Sequence, residues 1–165
     1  MTRRQLCLAA ALACAAMMGF ALVAQHGLKL EPCPLCVMQR IAVISLGIMF
    51  LLAAIHDAGP VGARFWGIVT ASVAAAGAVV SGRHVWLQSL PPDQVPECGP
   101  GLDYIMEVFP LTEALSMVFA GSGECAEVVW RFLGFSMPTW VLICLVSLGV
   151  FGLVINWRAA KGSLV

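Results

Sequence analysis

Four long apolar runs, separated by polar or Gly/Pro-marked breaks, constrain the fold of this 165-residue chain more than any other feature. They extend over Leu6–Val23, Ile41–Ile55, Phe65–Val80 and Trp140–Trp157. A helix needs about 20 apolar residues to cross a bilayer. Only 11% of the residues are charged, against roughly 25% in ordinary soluble domains. The sequence therefore predicts an all-α integral membrane protein whose residues 1–165 form a single four-helix transmembrane bundle.

Two of the runs reach spanning length only if the polar residues at their ends belong to the helices. The second must begin near Val37, with Gln39 and Arg40 at its mouth, and the third must continue through His84 to Leu87. His84 beside Arg83 could line a polar pocket, but a snorkelling pair at the interface is the more frequent arrangement; we expect the latter and assign neither residue a role. The predicted spans are residues 6–24, 37–56, 65–87 and 139–157, with loops 25–36 and 88–138 on one face.

The longer of these two loops contains one further helical pattern. Leu111, Ala114, Leu115, Val118 and Phe119 recur at helical spacing, and Gly121 and Gly123 supply a stop. The pattern predicts a short amphipathic helix. It would lie on the membrane surface or pack on the mouth of the bundle.

The distribution of charge predicts the orientation of the chain. Positive residues cluster on the side that holds both termini and the short middle loop, namely Arg3, Arg4, Arg64, Arg158 and Lys161. Residues 88–138 have seven acidic side chains and one basic one, Arg131. The positive-inside rule then makes both termini cytoplasmic, although Lys29 and Arg40 dilute the bias. The N-terminal run is longer than a signal-peptide core and no A-x-A-like cleavage site follows it, so we expect a retained span.

Several function classes find no support in the sequence. The formal net charge is zero and no basic patch is present, so nothing indicates a nucleic-acid partner. No HExxH, GxSxG, P-loop or dinucleotide fingerprint occurs. The chemistry must come from other residues.

The seven cysteines fall into two groups by predicted depth. Three lie within spans and are expected to be inert apolar side chains: Cys7, Cys14 and Cys144. The other four, Cys33, Cys36, Cys98 and Cys125, lie on the outer face, where disulfides persist. Cys33 and Cys36 form a CxxC motif, and Cys98 with Cys125 would close a loop. Zinc is the competing use of four cysteines, but zinc ribbons usually have two CxxC pairs and only one exists here, so we predict no metal.

The stretch CPLCVMQR, from Cys33 to Arg40, favours a thiolate at the start of the second span. Pro34 suits the first helical position, which places Cys36 in the first turn near unpaired backbone N–H groups. Arg40 lies one turn further along the same face, where its guanidinium favours the anion. In contrast, Glu97 beside Cys98 and Glu124 beside Cys125 should disfavour thiolate there.

Taken together, these features resemble the disulfide bond formation protein B (DsbB) family of bacterial inner membranes. The resemblance rests on four spans, on CPLCVMQR before the second span, and on Cys98 followed by GSGECAEVVWRFLGFSMPTW from Gly121 to Trp140. It implies a quinone-dependent protein-disulfide oxidoreductase that reoxidises a DsbA-like periplasmic thioredoxin-fold oxidase and uses ubiquinone or menaquinone.

The resemblance also implies roles for individual residues. Cys98 would form the mixed disulfide with the DsbA-like partner, and Cys125 would exchange with Cys33. Cys36 would face the quinone, and Arg40 would bind it. Two alternatives stay open: a vitamin K epoxide reductase-like enzyme, in which the CxxC is expected late in the chain, and a non-enzymatic membrane protein whose outer cysteines staple a loop or bind metal.

Overall fold

Four long apolar helices form the body of the molecule in the computed structural model, which describes residues 2–29, 32–56, 59–96, 104 and 107–162. In chain order the elements are α1 (Arg3–Gly27), α2 (Pro34–Ile55), α3 (Pro60–Gln88), a 3₁₀ turn (Pro92–Gln94), α4 (Leu111–Ala120), α5 (Gly123–Ala126), β1 (Arg131–Phe132), β2 (Phe135–Ser136) and α6 (Met137–Ala160). Helices α1, α2, α3 and α6 are each long and apolar enough to cross a membrane. The predicted all-α membrane bundle is confirmed.

Small residues allow the long helices to approach closely. Helix α3 packs most extensively on α6, and α2 packs on both α1 and α3. A Cβ added at Gly149 would lie 2.8 Å from the Cβ of Ala74, and one at Gly152 would lie 2.8 Å from Oγ1 of Thr70. Such contacts are typical of membrane helix interfaces, where close packing replaces the hydrophobic effect as the cause of association. Fully buried Phe50 and Leu145 fill the space between these helices.

Arg3 ties three helices together at the end of the bundle that carries both chain termini. Its guanidinium donates to Oδ1 of Asn156 at 2.9 Å, and to the carbonyl oxygens of Ala53 at 2.8 Å and His56 at 2.6 Å. The last carbonyls of a helix lack partners within the helix, so Arg3 satisfies the end of α2. From the sequence, Arg3 indicated only the orientation of the chain, and these contacts were not predicted.

The amphipathic helix predicted in the long loop is confirmed as α4, which ends before Gly121. Ala114 and Val118 are buried, and Val118 packs in a cluster with Leu35, Val80 and Leu87 at the mouth of the bundle. Two locations were predicted for this helix, and the described contacts agree with packing on the mouth of the bundle. Leu111, at the start of the helix, is 64% exposed.

A short antiparallel hairpin with two residues in each strand lies between α5 and α6. The sequence did not predict it. Arg131 pairs with Ser136 and Phe132 with Phe135, and the turn between the strands uses positive φ at Leu133 and Gly134. Indole N–H of Trp140 donates to the carbonyl of Phe132 at 3.1 Å. Such short strands give almost no periodic signal in sequence.

Candidate functional site

Cys33 begins α2 and acts as its N-cap. Its Sγ accepts a hydrogen bond from the backbone N–H of Cys36 at 3.4 Å, and Pro34 occupies the first turn as predicted. Cys36 lies in the first turn, as predicted. The capping role of Cys33 was not predicted; it arises because the residue before a proline at the first helical position takes extended dihedral angles.

Three sulfur atoms come together at the mouth of the bundle. Cys33 and Cys36 are free thiols whose Sγ atoms lie 3.1 Å apart. Sγ of Cys125 also lies within 4.8 Å of Sγ of Cys33. Cys33 therefore stands within reach of both other sulfurs. Cys98 lies outside the described residues, so the predicted Cys98–Cys125 pair stays a prediction.

His84 joins this group from α3, and the expectation of an interfacial position for it was wrong. The side chain is only 2% exposed. Its Nδ1 lies 3.0 Å from Nε2 of Gln39, which is also buried, and its Nε2 lies 3.0 Å from the carbonyl oxygen of Cys125. Both residues are polar side chains within apolar helices, and this signal marks functional candidates in membrane proteins.

Arg83, next to His84, holds α4 in place. Its guanidinium donates to the carbonyl oxygens of Phe119 at 3.1 Å and Ala120 at 3.0 Å, and stacks over the ring of Trp86 at 4.2 Å. These contacts satisfy the end of α4. Because α5 follows directly, the position of Cys125 depends on this anchor.

The environment of Cys125 disfavours its thiolate. A hydrogen bond with the side chain of Cys33 and burial of the sulfur both raise the pKa of the Cys125 thiol well above its ordinary value. The predicted direction is confirmed, but its predicted cause, Glu124, is not among the causes. A raised thiol pKa means that reduced Cys125 keeps its proton at neutral pH.

We expect this pKa to appear in the pH dependence of alkylation. In the fully reduced protein, labelling of Cys125 by iodoacetamide should rise only above the ordinary thiol pKa of about 8.5, since the thiolate is the reactive form. Mass spectrometry of the Cys125 peptide gives the midpoint. In Cys33→Ala the midpoint should fall, because the first cause of the shift is gone. A midpoint at or below the ordinary value in the unmodified protein would contradict the assignment.

A cavity of about 690 Å³, including the open space at its mouth, lies beside Cys36. Its walls come from α1, α2, the segment before the hairpin and the start of α6, and they are mainly methionine, alanine, valine and proline side chains. Four polar or reactive side chains interrupt this apolar lining: Gln25, Cys36, Gln39 and Arg40.

Arg40 is held on the wall of this cavity by α1. Its guanidinium donates to Oε1 of Gln25 and, at 3.3 Å, to the carbonyl oxygen of Ala21. These contacts fix a positive charge in apolar surroundings. Cys36 and Arg40 line the same cavity, in agreement with their spacing of four residues. Of the in-span cysteines, Cys7 and Cys14 are buried in the apolar core.

Gly121, at the corner between α4 and α5, is required by two features of its surroundings. Its φ is +84°, and an added Cβ would lie 2.4 Å from Cδ1 of Leu87, which is fully buried. Gly134 has the same φ of +84° but nothing within 4 Å of an added Cβ. The two glycines therefore separate backbone strain from steric overlap.

We expect Gly121→Ala to destabilise the protein more than Gly134→Ala does. Both replacements cost about 1–2 kcal/mol for left-handed backbone, and only the first adds the roughly 1–3 kcal/mol of overpacking. Thermal unfolding in detergent measures the difference. Because Leu87 and Cys125 share one cluster, only Gly121→Ala should also alter the alkylation rate of Cys125. Equal effects of the two variants would contradict this account of the corner.

Comparison with known proteins addresses the whole chain. Residues 3–155 match the family model described as disulfide bond formation protein DsbB. The chain belongs to the DsbB family. It is 52% identical over 161 residues to the disulfide bond formation protein B of Chromobacterium violaceum, covering 98% of this chain and 97% of the relative. It is 51% identical over 148 residues to that of Methylococcus capsulatus, covering 90% of each.

Membership in the DsbB family confirms the resemblance read from the cysteine motifs and decides against the vitamin K epoxide reductase-like alternative. A disulfide-forming oxidoreductase is a redox enzyme, so the stapled or metal-binding structural protein is also set aside as the main function. The four apolar helices and the DsbB family together indicate a multi-pass membrane protein.

Proposed function

We propose that this protein reoxidises a DsbA-like periplasmic thiol oxidase and passes the electrons through Cys98–Cys125 and Cys33–Cys36 to a membrane quinone. The observation that supports this most is the position of Cys33, whose sulfur lies 3.1 Å from that of Cys36 and within 4.8 Å of that of Cys125. Cys36 in turn lines an apolar cavity with Arg40. One sulfur thus links a loop cysteine to a cysteine on the wall of the apolar cavity.

The proposed sequence begins at the loop pair. A thiolate of the partner attacks Cys98 of the Cys98–Cys125 disulfide, forming a mixed disulfide and releasing Cys125. The second partner thiol then attacks its own half of the mixed disulfide, so that the partner leaves oxidised and Cys98 leaves reduced. Two electrons now reside on the loop thiols, and two protons are bound or released with them.

Exchange between the pairs follows through Cys33. A thiolate of Cys125 attacks Cys33 of the Cys33–Cys36 disulfide, the new Cys125–Cys33 bond forms, and Cys36 leaves as thiolate. Cys98 then attacks Cys125, which restores the loop disulfide and leaves Cys33 and Cys36 reduced. The raised pKa of Cys125 opposes its attack, since the thiolate is the attacking form.

The cavity fits a quinone by the chemistry of its walls. Flat apolar and methionine surfaces suit a ring and an isoprenoid chain, and Arg40 and the amides of Gln25 and Gln39 supply hydrogen-bond donors for ring oxygens. Bound there, a quinone would supply a lipid-soluble acceptor for two electrons and two protons. Cys36 is the cysteine that lines this cavity, and the charge of Arg40 would stabilise negative charge that develops in these apolar surroundings. Ubiquinone and menaquinone both meet these requirements.

The same reaction sets the orientation and location. The DsbA-like partner is periplasmic, so the cysteine-bearing loops must face the periplasm and both termini the cytoplasm. The charge bias of the loops supports this orientation in a bacterial inner membrane.

Turnover with the partner tests the proposal. Purified protein in detergent is mixed with reduced DsbA and a soluble ubiquinone analogue, and quinone absorbance is followed against partner thiols. We expect one quinone reduced for each pair of DsbA thiols lost. Loss of DsbA thiols without quinone reduction, or no change in either the thiols or the quinone, would contradict the proposed transfer of electrons from DsbA to quinone.

A further inference from the structure

Three metal-binding side chains from three elements converge at the mouth of the bundle. Sγ of Cys33 at the start of α2, a ring nitrogen of His84 on α3 and Sγ of Cys125 on α5 all lie within 4.8 Å of one another. Among the residues that the structure describes, these three have ligand atoms close enough together to hold one metal ion. Cysteine spacing alone predicted no zinc site, and that spacing contains no information about His84, which lies on another helix.

The spacing of these donors matches a tetrahedral cation. Bonds of about 2.3 Å to sulfur and 2.0 Å to nitrogen place neighbouring ligand atoms roughly 3.5–3.8 Å apart in a tetrahedral site. Sγ of Cys33 and Nε2 of His84 already lie 3.8 Å apart. Two thiolates and an imidazole are the ligands that Zn²⁺ prefers, whereas Mg²⁺ and Ca²⁺ need oxygen ligands.

The surroundings of His84 also suit a metal ligand. Metal-binding imidazoles usually hold their other ring nitrogen in a hydrogen bond, which fixes the ring. Here the amide of buried Gln39 lies 3.0 Å from Nδ1. Rotation of that amide by half a turn presents Oε1 to a protonated Nδ1, which frees Nε2 from the carbonyl of Cys125 for a metal.

We propose that the fully reduced protein binds one Zn²⁺ through Cys33, His84 and Cys125, and that the ion blocks electron transfer while it is bound. Binding forms two Zn–S bonds and one Zn–N bond. The two thiol protons leave to solvent, the Nε2 proton of His84 is replaced by one on Nδ1, and no group is oxidised or reduced. Because a disulfide sulfur is a poor ligand, oxidation of Cys33 to the Cys33–Cys36 disulfide abolishes the site.

The binding part of this inference needs only reduced thiols and does not depend on quinone chemistry; the inhibition rests on the proposed function. Cobalt(II) is the probe, since tetrahedral thiolate ligation gives it intense visible bands and a sulfur-to-metal charge-transfer band. Reduced full-length protein in detergent, freed of reductant, is titrated with Co²⁺ and then with Zn²⁺. We expect one Co²⁺ per chain with tetrahedral bands, displacement by Zn²⁺, and no bands for the oxidised protein.

Matched variants test the ligand set. His84→Ala and Cys33→Ala should each weaken Co²⁺ binding at least about 10- to 100-fold, the range for disturbing a metal site. The controls His26→Ala, an exposed histidine, and Cys144→Ala, a cysteine within α6, should bind like the parent. Cys98→Ala should also keep the bands. Bands that survive His84→Ala, or that are lost in Cys98→Ala, would overturn the assignment.

Inhibition is read separately. Zn²⁺ at the concentration that saturates the Co²⁺ site should stop DsbA-dependent quinone reduction, and a chelator should restore it. Binding without inhibition would overturn the blocking role alone. Absence of turnover in metal-free protein, with intact Co²⁺ bands, would count against the proposed electron transfer and leave the metal site standing.

Discussion

Replacing Cys36 with alanine should abolish quinone reduction and leave Cys33 linked to Cys125. Without Cys36, the sulfur of Cys33 keeps a single described neighbour within reach, that of Cys125 at no more than 4.8 Å. The Cys33 thiolate can then attack Cys125 of the Cys98–Cys125 disulfide and release Cys98 as a thiol, but Cys33 cannot form a disulfide within its own CxxC pair. Quinone absorbance should stay constant when reduced DsbA is added, and peptide mapping without reductant should show the Cys33–Cys125 link.

The in-span cysteine Cys144 provides the control, since Cys144→Ala removes a thiol without touching the described cavity or sulfur cluster. Its turnover should equal that of the parent. If Cys36→Ala still reduces quinone, or if mapping finds Cys33 unlinked after complete oxidation, the order of sulfurs proposed here is wrong.

Arg40→Met should slow quinone reduction about 10²- to 10³-fold, the usual loss when one preorganised group that stabilises developing charge is removed. Methionine keeps an unbranched apolar stem but lacks the guanidinium, so the variant loses the charge and the contacts with Gln25 and Ala21. Exchange between DsbA and the loop cysteines should change little, because Arg40 lies on the cavity side of Cys36. Stopped-flow measurement of partner oxidation separates the two steps.

Two companion variants distinguish charge from position. Arg40→Lys should recover part of the rate, because a cation is restored without the two-pronged geometry. Gln25→Ala removes the contact that fixes the guanidinium but keeps its charge, so it should raise KM for the quinone analogue more than it lowers kcat. Equal slowing of thiol exchange and quinone reduction in Arg40→Met would remove Arg40 from the quinone site.

The helices were predictable because a membrane imposes a length and composition that the sequence displays directly. Each observed helix is longer than the apolar run that predicted it, as α3 shows by beginning at Pro60 and ending at Gln88. Proline and glycine mark such ends, but polar residues in the last turns hide them from hydropathy. Local rules sufficed for α4, whose apolar spacing lies within its own ten residues and whose terminal glycine, Gly121, follows directly.

The site was predictable only where its residues are neighbours in sequence. Cys33, Cys36 and Arg40 lie on consecutive turns at the start of one helix, so spacing alone placed them together. His84 and Gln39 meet across 45 positions, and no local pattern reports such a contact. Arg83 likewise supports α4 over 36 positions. These long-range contacts arise from the packing of α2, α3 and the loop, which sequence periodicity does not describe.

A single turnover of the isolated protein tests most directly whether the CxxC pair delivers electrons to quinone. The Cys98→Ala, Cys125→Ala double variant, whose CxxC pair has no loop thiols to exchange with, is reduced, freed of reductant and mixed with one equivalent of a ubiquinone analogue, without any partner. Quinone absorbance and the newly formed disulfides are then measured together. The account predicts loss of one quinone per Cys33–Cys36 disulfide formed, and a strong decrease of both in Arg40→Met. Unchanged quinone absorbance, or a disulfide that forms without Cys36, would contradict it.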